Sequence, residues 1–223
     1  MNNNISIANA ASIAPDLTNT KLIALTFDDG PDMQTTPQVL DQLEKYGVAA
    51  SFFLIGKYIN DQTVPIMERE LKLGCEIHNH SWNHYDMTKL TQEQIKKEIQ
   101  DTSDKINETV GVTPKFFRPP FILTNPVMYQ TIQLPFINGI NGTDWDATVT
   151  AEKRSELILN QAEDGDIILL HDLTGNDKTV KALDTIIPGL KEKGFVFVTV
   201  SQLFDAKGIE PNVEGEIWTH VTK

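Results

Sequence analysis

The sequence holds a single cysteine, Cys75, so no disulfide can form within the chain, and cysteine usage says nothing of the redox compartment. Basic residues are scarce: 19 Lys and Arg stand against 31 Asp and Glu, a net charge of −12. Nucleic-acid and anionic-membrane binding rest on clustered positive charge, so neither is an expected partner, and a neutral substrate fits better. No apolar run approaches the roughly 20 residues that span a bilayer. The opening stretch MNNNISIANAASIAPDLTNT lacks the basic start and apolar middle of a signal peptide. It is small and polar, as a linker or loosely attached arm over 1–20 would be. Internal repeats and interior linkers are absent too. What remains is 223 residues, 40% hydrophobic and 22% charged, which suits one domain over 21–223 with an ordinary core.

Past Thr20 the chain alternates short β-rich runs with longer amphipathic ones. The runs LIALTF (22–27), AASFFLI (49–55), CEIH (75–78), KFFR (115–118), PFING (135–139), DIILL (166–170) and FVFVTV (195–200) read as strands. Between them lie helical patterns, the clearest opening with a Thr91/Gln94 capping box and carrying Ile95, Ile99, Ile106 and Val110 on one face. Gly47, Gly74, Gly111 and Gly194 stand where helices should stop before strands. Alternation with short joints predicts parallel strands linked by helices, in an open doubly wound sheet or a closed, imperfect β/α barrel.

The polar clusters follow the strands. FDD (27–29), HNHSWNH (78–84), RPPF (118–121), GTDWD (142–146) and HD (171–172) each sit at a strand's C-terminal end. Both barrels and open α/β sheets build their active sites there, so these clusters predict one composite site. Three histidines within HNHSWNH read either as a polar loop or as metal ligands, because imidazole is the commonest metal-binding side chain. One helical turn would put His80 and His84 on a common face. A carboxylate added to them gives two His and one Asp with open positions, the pattern of a catalytic metal site. His78 reads as a supporting or merely structural residue, and Cys75 as buried strand. The adjacent Asp28 and Asp29 then divide two tasks: one holds the ion, and the other takes the proton of an attacking water. Arg118 is a candidate to aim that base, and His171 to protonate the leaving group.

TFDDGP (26–31), HSWNH (80–84), RPPF (118–121), the DW pair at 144–145 and LLHD (169–172) resemble, in order, the five motifs of the polysaccharide deacetylases. This is the NodB-homology fold of carbohydrate esterase family 4, and the resemblance runs from about Lys21 to Leu203. It implies an α/β fold, a distorted (β/α) barrel of about seven parallel strands, with one divalent ion, Zn2+ or Co2+. It also implies Asp29, His80 and His84 as metal ligands, Asp28 as base, Arg118 as its orienter and His171 as acid. The backbone N–H of Phe121 would bind the oxyanion, and Pro120, Trp145 and Leu169 would line the substrate site. The expected substrate is an acetylated polysaccharide, xylan before chitin oligosaccharides or peptidoglycan. A catalytically silent carbohydrate-binding module is the alternative of another class. The resemblance further implies a secreted, extracellular protein whose signal peptide lies outside this chain, with room for other domains of a modular enzyme.

Two positions depart from the family pattern. Phe121-Ile122 stand where Tyr-Gly is usual, and Asn141 stands where an aspartate usually supports the acid histidine. A neutral Asn141 predicts a His171 without a charged partner, a weaker acid reserve and a preference for esters over amides. The alternative is that Asp144 or Asp172 supplies the charge.

Overall fold

Strand β1 (Lys21–Asp28) is buried along all but its first residue, and its two faces meet different surroundings. Ile23, Leu25 and Phe27 belong to the larger core cluster, with Leu40 and Leu43 of helix α1 (Thr35–Tyr46). Leu22 and Ala24 belong to a second cluster with Phe53, Ile137 and Ile167. Burial on both faces is the mark of a parallel strand covered from both sides. The computed structural model describes residues 20–222, so the expected arm over 1–20 lies outside the described residues apart from Thr20.

The chain continues through β2 (Ser51–Leu54), α2 (Val64–Lys72), β3 (Glu76–Asn79), α3 (Gln92–Val110), α4 (Pro126–Thr131), β4 (Phe136–Ile137) and β5 (Ile140–Asn141). There follow α5 (Ala151–Gln161), β6 (Asp166–His171), α6 (Asp177–Glu192), β7 (Phe195–Val198), α7 (Val200–Lys207) and β8 (Ile217–Trp218). β6 pairs in parallel along one edge of β1, while β7 and β2 share its other edge, first half and second half respectively. β3 lies outside β2 and β5 outside β6, again parallel. β4 and β8 form a separate parallel pair. Single bridges at Phe117 join Asn79 to Phe136, and the Ile167 N–H donates to the Thr219 carbonyl at 3.1 Å. These contacts carry the ring from β3 through β4 and β8 back to β6, an irregular closure consistent with the distorted barrel that the resemblance implies.

The sequence reading diverges at three elements. KFFR (115–118) makes only the Phe117 bridges, since Pro114, Pro119 and Pro120 around it cannot donate to a ladder. β5 and β8, two residues each, are too short to show a period in sequence. The helix signals behave as expected. Thr91 and Gln94 form the full capping box of α3, and the glycines at 47, 74, 111 and 194 all take positive φ. Among the described residues no helix is long and apolar enough to cross a membrane.

The two-residue period of the strands positions the site. On β1 the face that carries Leu22 and Ala24 continues as Thr26 and Asp28, and on β6 Ile167 leads to Leu169 and His171 on one face. On β3 His78 is packed between the Phe53 and Phe116 rings, and the same face reaches His80. On β1 and β6 the inner stripe is apolar low in the barrel and polar at its C-terminal mouth, whereas on β3 it is polar throughout, from Glu76 through His78 to His80.

Candidate active site

Asp28 ends its stripe in full burial, with Oδ1 accepting from Arg118 Nη1 at 2.6 Å. Arg118 is itself fully buried. Its Nη1 also donates to Thr26 Oγ1 at 2.8 Å, its Nη2 to the Asn138 carbonyl at 2.7 Å, and its guanidinium carbon lies 4.2 Å from the centre of the Phe53 ring. A buried carboxylate needs such a partner to stay ionised. The bond occupies Oδ1 and leaves Oδ2 facing His80 Nε2 at 3.9 Å.

In an extended strand Asp29 would point away from Asp28. The backbone instead turns left-handed at Asp29, with φ of 77°, and brings its Oδ1 to 3.4 Å from both His80 Nε2 and His84 Nε2. Burial would raise the Asp29 carboxyl, but the His80 imidazole 3.4 Å away and the charges of His171 and His84 hold it at about 2. One ligand atom from each of Asp29, His80 and His84 lies within 4.8 Å of the others, and Asp29 Oδ1 is buried with no hydrogen-bond partner among the described residues. His80 Nδ1 is 2.7 Å from the Arg118 carbonyl, a bond that puts the proton on Nδ1 and leaves Nε2 free as a ligand. An orphaned carboxylate oxygen beside two available imidazole nitrogens fits a divalent cation of the zinc or cobalt type.

The histidine pair does not reach this geometry by a helical turn. Residues 80–84 form a loop in which Ser81 and His84 have φ of 66° and 60°. Glu98 of α3 pins it: its carboxylate accepts from the Trp82 N–H at 2.9 Å, the Asn83 N–H at 2.7 Å and Asn83 Nδ2 at 2.7 Å. Asn79 adds a bond from the Ser81 N–H to its Oδ1 at 2.8 Å. Glu98 looks in sequence like any helical glutamate, and no sequence signal singles it out. His78 is buried and, among the described residues, pairs with Glu76 at 3.2 Å, outside the ligand set. Cys75 is buried as expected, with its thiol pushed up to about 12 by burial.

Across the cleft, the expectation drawn from Asn141 is corrected. Asn141 Oδ1 accepts from the Thr143 N–H at 3.2 Å, whereas His171 Nδ1 lies 2.8 Å from Asp144 Oδ1. The chain turns through positive φ at Thr143, and Asp144 arrives where Asn141 was expected. Burial would lower the His171 imidazole, but the hydrogen bond and charge of Asp144, with Asp28 and Asp29 beyond, raise it to about 9. Asp172 faces elsewhere, accepting from Thr36 Oγ1 at 2.5 Å.

These groups open into one cleft of about 720 Å³, lined by Asp28, Asp29, His80, His84, His171, Phe121, Trp145 and Leu169 among others. Trp145 is 58% exposed and Phe121 62%, which leaves two aromatic faces for a ligand. Pro120 is corrected: it is buried in the turn, its carbonyl accepts from the Leu123 N–H at 3.2 Å, and Pro119 lines the cleft in its place. Phe121 and Ile122 both have positive φ, 58° and 57°, which accounts for the usual glycine at the second of these positions. The His84 and Phe121 rings meet edge to face at 4.6 Å.

Residues 16–134 match the family model of polysaccharide deacetylases. A bifunctional xylanase/deacetylase of Pseudobutyrivibrio xylanivorans is 55% identical over 203 residues, covering 91% of this chain and 34% of that protein. The chain thus spans about a third of that curated relative's length. Among solved structures, the Xyl-CE4 domain of a multidomain xylanase from the hindgut metagenome of Trinervitermes trinervoides superposes with a TM-score of 0.90 at 52% identity, covering 91% of this chain and 98% of that one. A family 4 acetyl xylan esterase from Clostridium thermocellum in complex with a cobalt ion gives 0.88 at 45% identity, covering 90% and 99%.

Proposed function

Because this chain belongs to the polysaccharide deacetylase family, we propose that it is a metal-dependent carbohydrate esterase that removes acetyl groups from acetylated xylan. The observation that carries this reading is the Asp29–His80–His84 triangle, facing Asp28 on one side and His171 across the same cleft. Asp29 and the Nε2 atoms of His80 and His84 would hold one divalent ion, Zn2+ or Co2+. That ion would supply Lewis acidity to the acetyl carbonyl and acidify the attacking water.

The remaining work falls to the protein's own groups. Asp28 keeps Oδ1 on Arg118 and takes the water's proton at Oδ2. The Phe121 N–H steadies the oxygen charge of the tetrahedral intermediate. His171, protonated and held through Nδ1 by Asp144, gives a proton from Nε2 to the departing sugar oxygen. Leu169 packs beside the acetyl methyl, and Trp145 and Phe121 offer flat faces to the sugar rings. The similarity to xylan-acting relatives supports xylan as polymer, action outside the cell, and attachment to other domains of a modular enzyme.

A second reading, N-deacetylation of chitin oligosaccharides or peptidoglycan, is favoured by one observation: Asp144 Oδ1 lies 2.8 Å from His171 Nδ1, which raises the imidazole. An amide needs its leaving nitrogen protonated, and an imidazole at about 9 has the proton to give at neutral pH. Acetate release from acetylated xylan and from chitin oligosaccharides, measured side by side, tests the choice. Faster release from xylan supports the first reading, and the reverse order replaces it with the second.

A further inference from the structure

Arg154 of α5 is 1% exposed, yet among the described residues its guanidinium meets no carboxylate. A buried charge without a direct counter-ion is costly unless each of its donors is satisfied. Nε donates to the Val149 carbonyl at 3.2 Å and Nη2 to the Asp146 carbonyl at 3.1 Å. Nη1 donates to Asn176 Oδ1 at 2.5 Å and to Thr179 Oγ1 at 2.8 Å. These last two side chains are the ones that hold Asp144. Its Oδ2 accepts from Thr179 Oγ1 at 2.8 Å, from Asn176 Nδ2 at 3.1 Å and from the His171 N–H at 2.8 Å.

The direction of these bonds is fixed by chemistry. Arginine carries donors only. With Asn176 Oδ1 accepting from Arg154, the amide NH2 must face Asp144 and the His171 carbonyl, which it reaches at 2.8 Å. With Thr179 Oγ1 accepting from Arg154, its own proton must go to Asp144. Asp144 Oδ2 therefore meets three donors and no acceptor, an environment suited to an ionised carboxylate. Its Oδ1 then requires a proton on His171 Nδ1, and Nε2 is left to the cleft.

We infer that Arg154 is a positioning residue for the acid: it sets the hydrogen-bond polarity of Asn176 and Thr179 and, through them, keeps Asp144 as the ionised partner of His171 Nδ1. The inference rests on the reading of His171 as proton donor. The other charges that act on His171 are Asp28 and Asp29 at the end of β1 and His84 in the metal loop, and none of them touches Arg154. Asp144 and Asp146 are the charges that act on Arg154, where they oppose the lowering effect of burial.

The test is 15N NMR of His171 in the Zn2+-loaded full chain, together with the pH profile of acetate release. In Arg154→Met the His171 titration should fall by about one pH unit or more, with Nδ1 protonation no longer fixed, while bound zinc per chain stays unchanged. Arg154→Lys, again donor-only, should restore most of the shift. A folded Arg154→Met with wild-type His171 signals would overturn the inference. Should Arg154→Met fail to fold, Thr179→Val decides: a smaller shift in the same direction supports it, and an unmoved His171 overturns it. The NMR readout needs no substrate, so failure of the deacetylase reading would show separately, as absent acetate release with His171 shifts intact.

Discussion

Asp144 holds His171 at two points: Oδ1 lies 2.8 Å from Nδ1 of the ring, and Oδ2 accepts the backbone N–H of the same residue at 2.8 Å. A carboxylate that grips both ring and backbone fixes the tautomer and the direction of the imidazole together. Asp144→Asn removes the charge and should move the alkaline limb of the acetate-release profile to lower pH, because the protonated acid is present below its raised value and lost above it. Turnover at pH 8 should drop by roughly 10²-fold. Asn141→Asp should leave the limb where it is, since Asn141 does not reach His171. An upward move in that variant would reinstate Asn141 as the controlling position.

The two adjacent aspartates should separate cleanly. Asp28→Asn should keep one metal ion per chain while kcat falls by roughly 10²-fold or more. Asp29→Asn should lose metal affinity, measurable by calorimetry without any substrate. Exchanged phenotypes would reverse the assignment made from the Arg118 contact and the orphaned Asp29 oxygen.

Glu70 of α2 is fully buried with neither carboxylate oxygen bonded among the described residues, and burial, aided by the charge of Asp172, raises it well above its usual range. The folded chain therefore keeps this proton at pH values where the unfolded chain has released it. Stability is present below the unfolded value, near 4.5, and falls as pH rises toward the folded one. Glu70→Gln removes that dependence. Its stability relative to wild type should grow between pH 5 and pH 8, by up to about 1.4 kcal/mol per pH unit, in urea unfolding. A difference that stays constant with pH would show Glu70 ionised in the folded protein.

Ile122 is β-branched and sits at φ of 57°, a conformation that costs about 1–3 kcal/mol. Ile122→Gly should be at least as stable as wild type, because the relieved strain offsets the lost side chain and the greater freedom of glycine when unfolded. A loss above about 2 kcal/mol would mean that Ile122 contacts outweigh the strain.

Much of this site was legible because strand ends are marked in sequence. Asp28, Asp29, His80, His84 and His171 all follow β-rich runs, and a two-residue period tells which of them share a face. The helices were legible through their caps, Thr91 with Gln94 at one end and glycines at the other. Loop geometry was not. Positive φ at Asp29, His84 and Thr143 turns side chains by amounts that spacing does not reveal, which is why a helical turn was expected for His80 and His84 and why Asn141 stood in for Asp144. Glu98 and Arg154 were missed for a different reason. Each lies on a helix among other charged residues, and only burial and bonding distinguish it.

On the proposed mechanism, acetyl removal would depend on an ion held by Asp29, His80 and His84. Acetate release from acetylated xylan by chelator-stripped protein, before and after addition of one equivalent of Zn2+ or Co2+, tests it most directly. No release is expected from the stripped protein, recovery on addition of either ion, and no recovery in His80→Ala. Full release from protein verified as metal-free would contradict it.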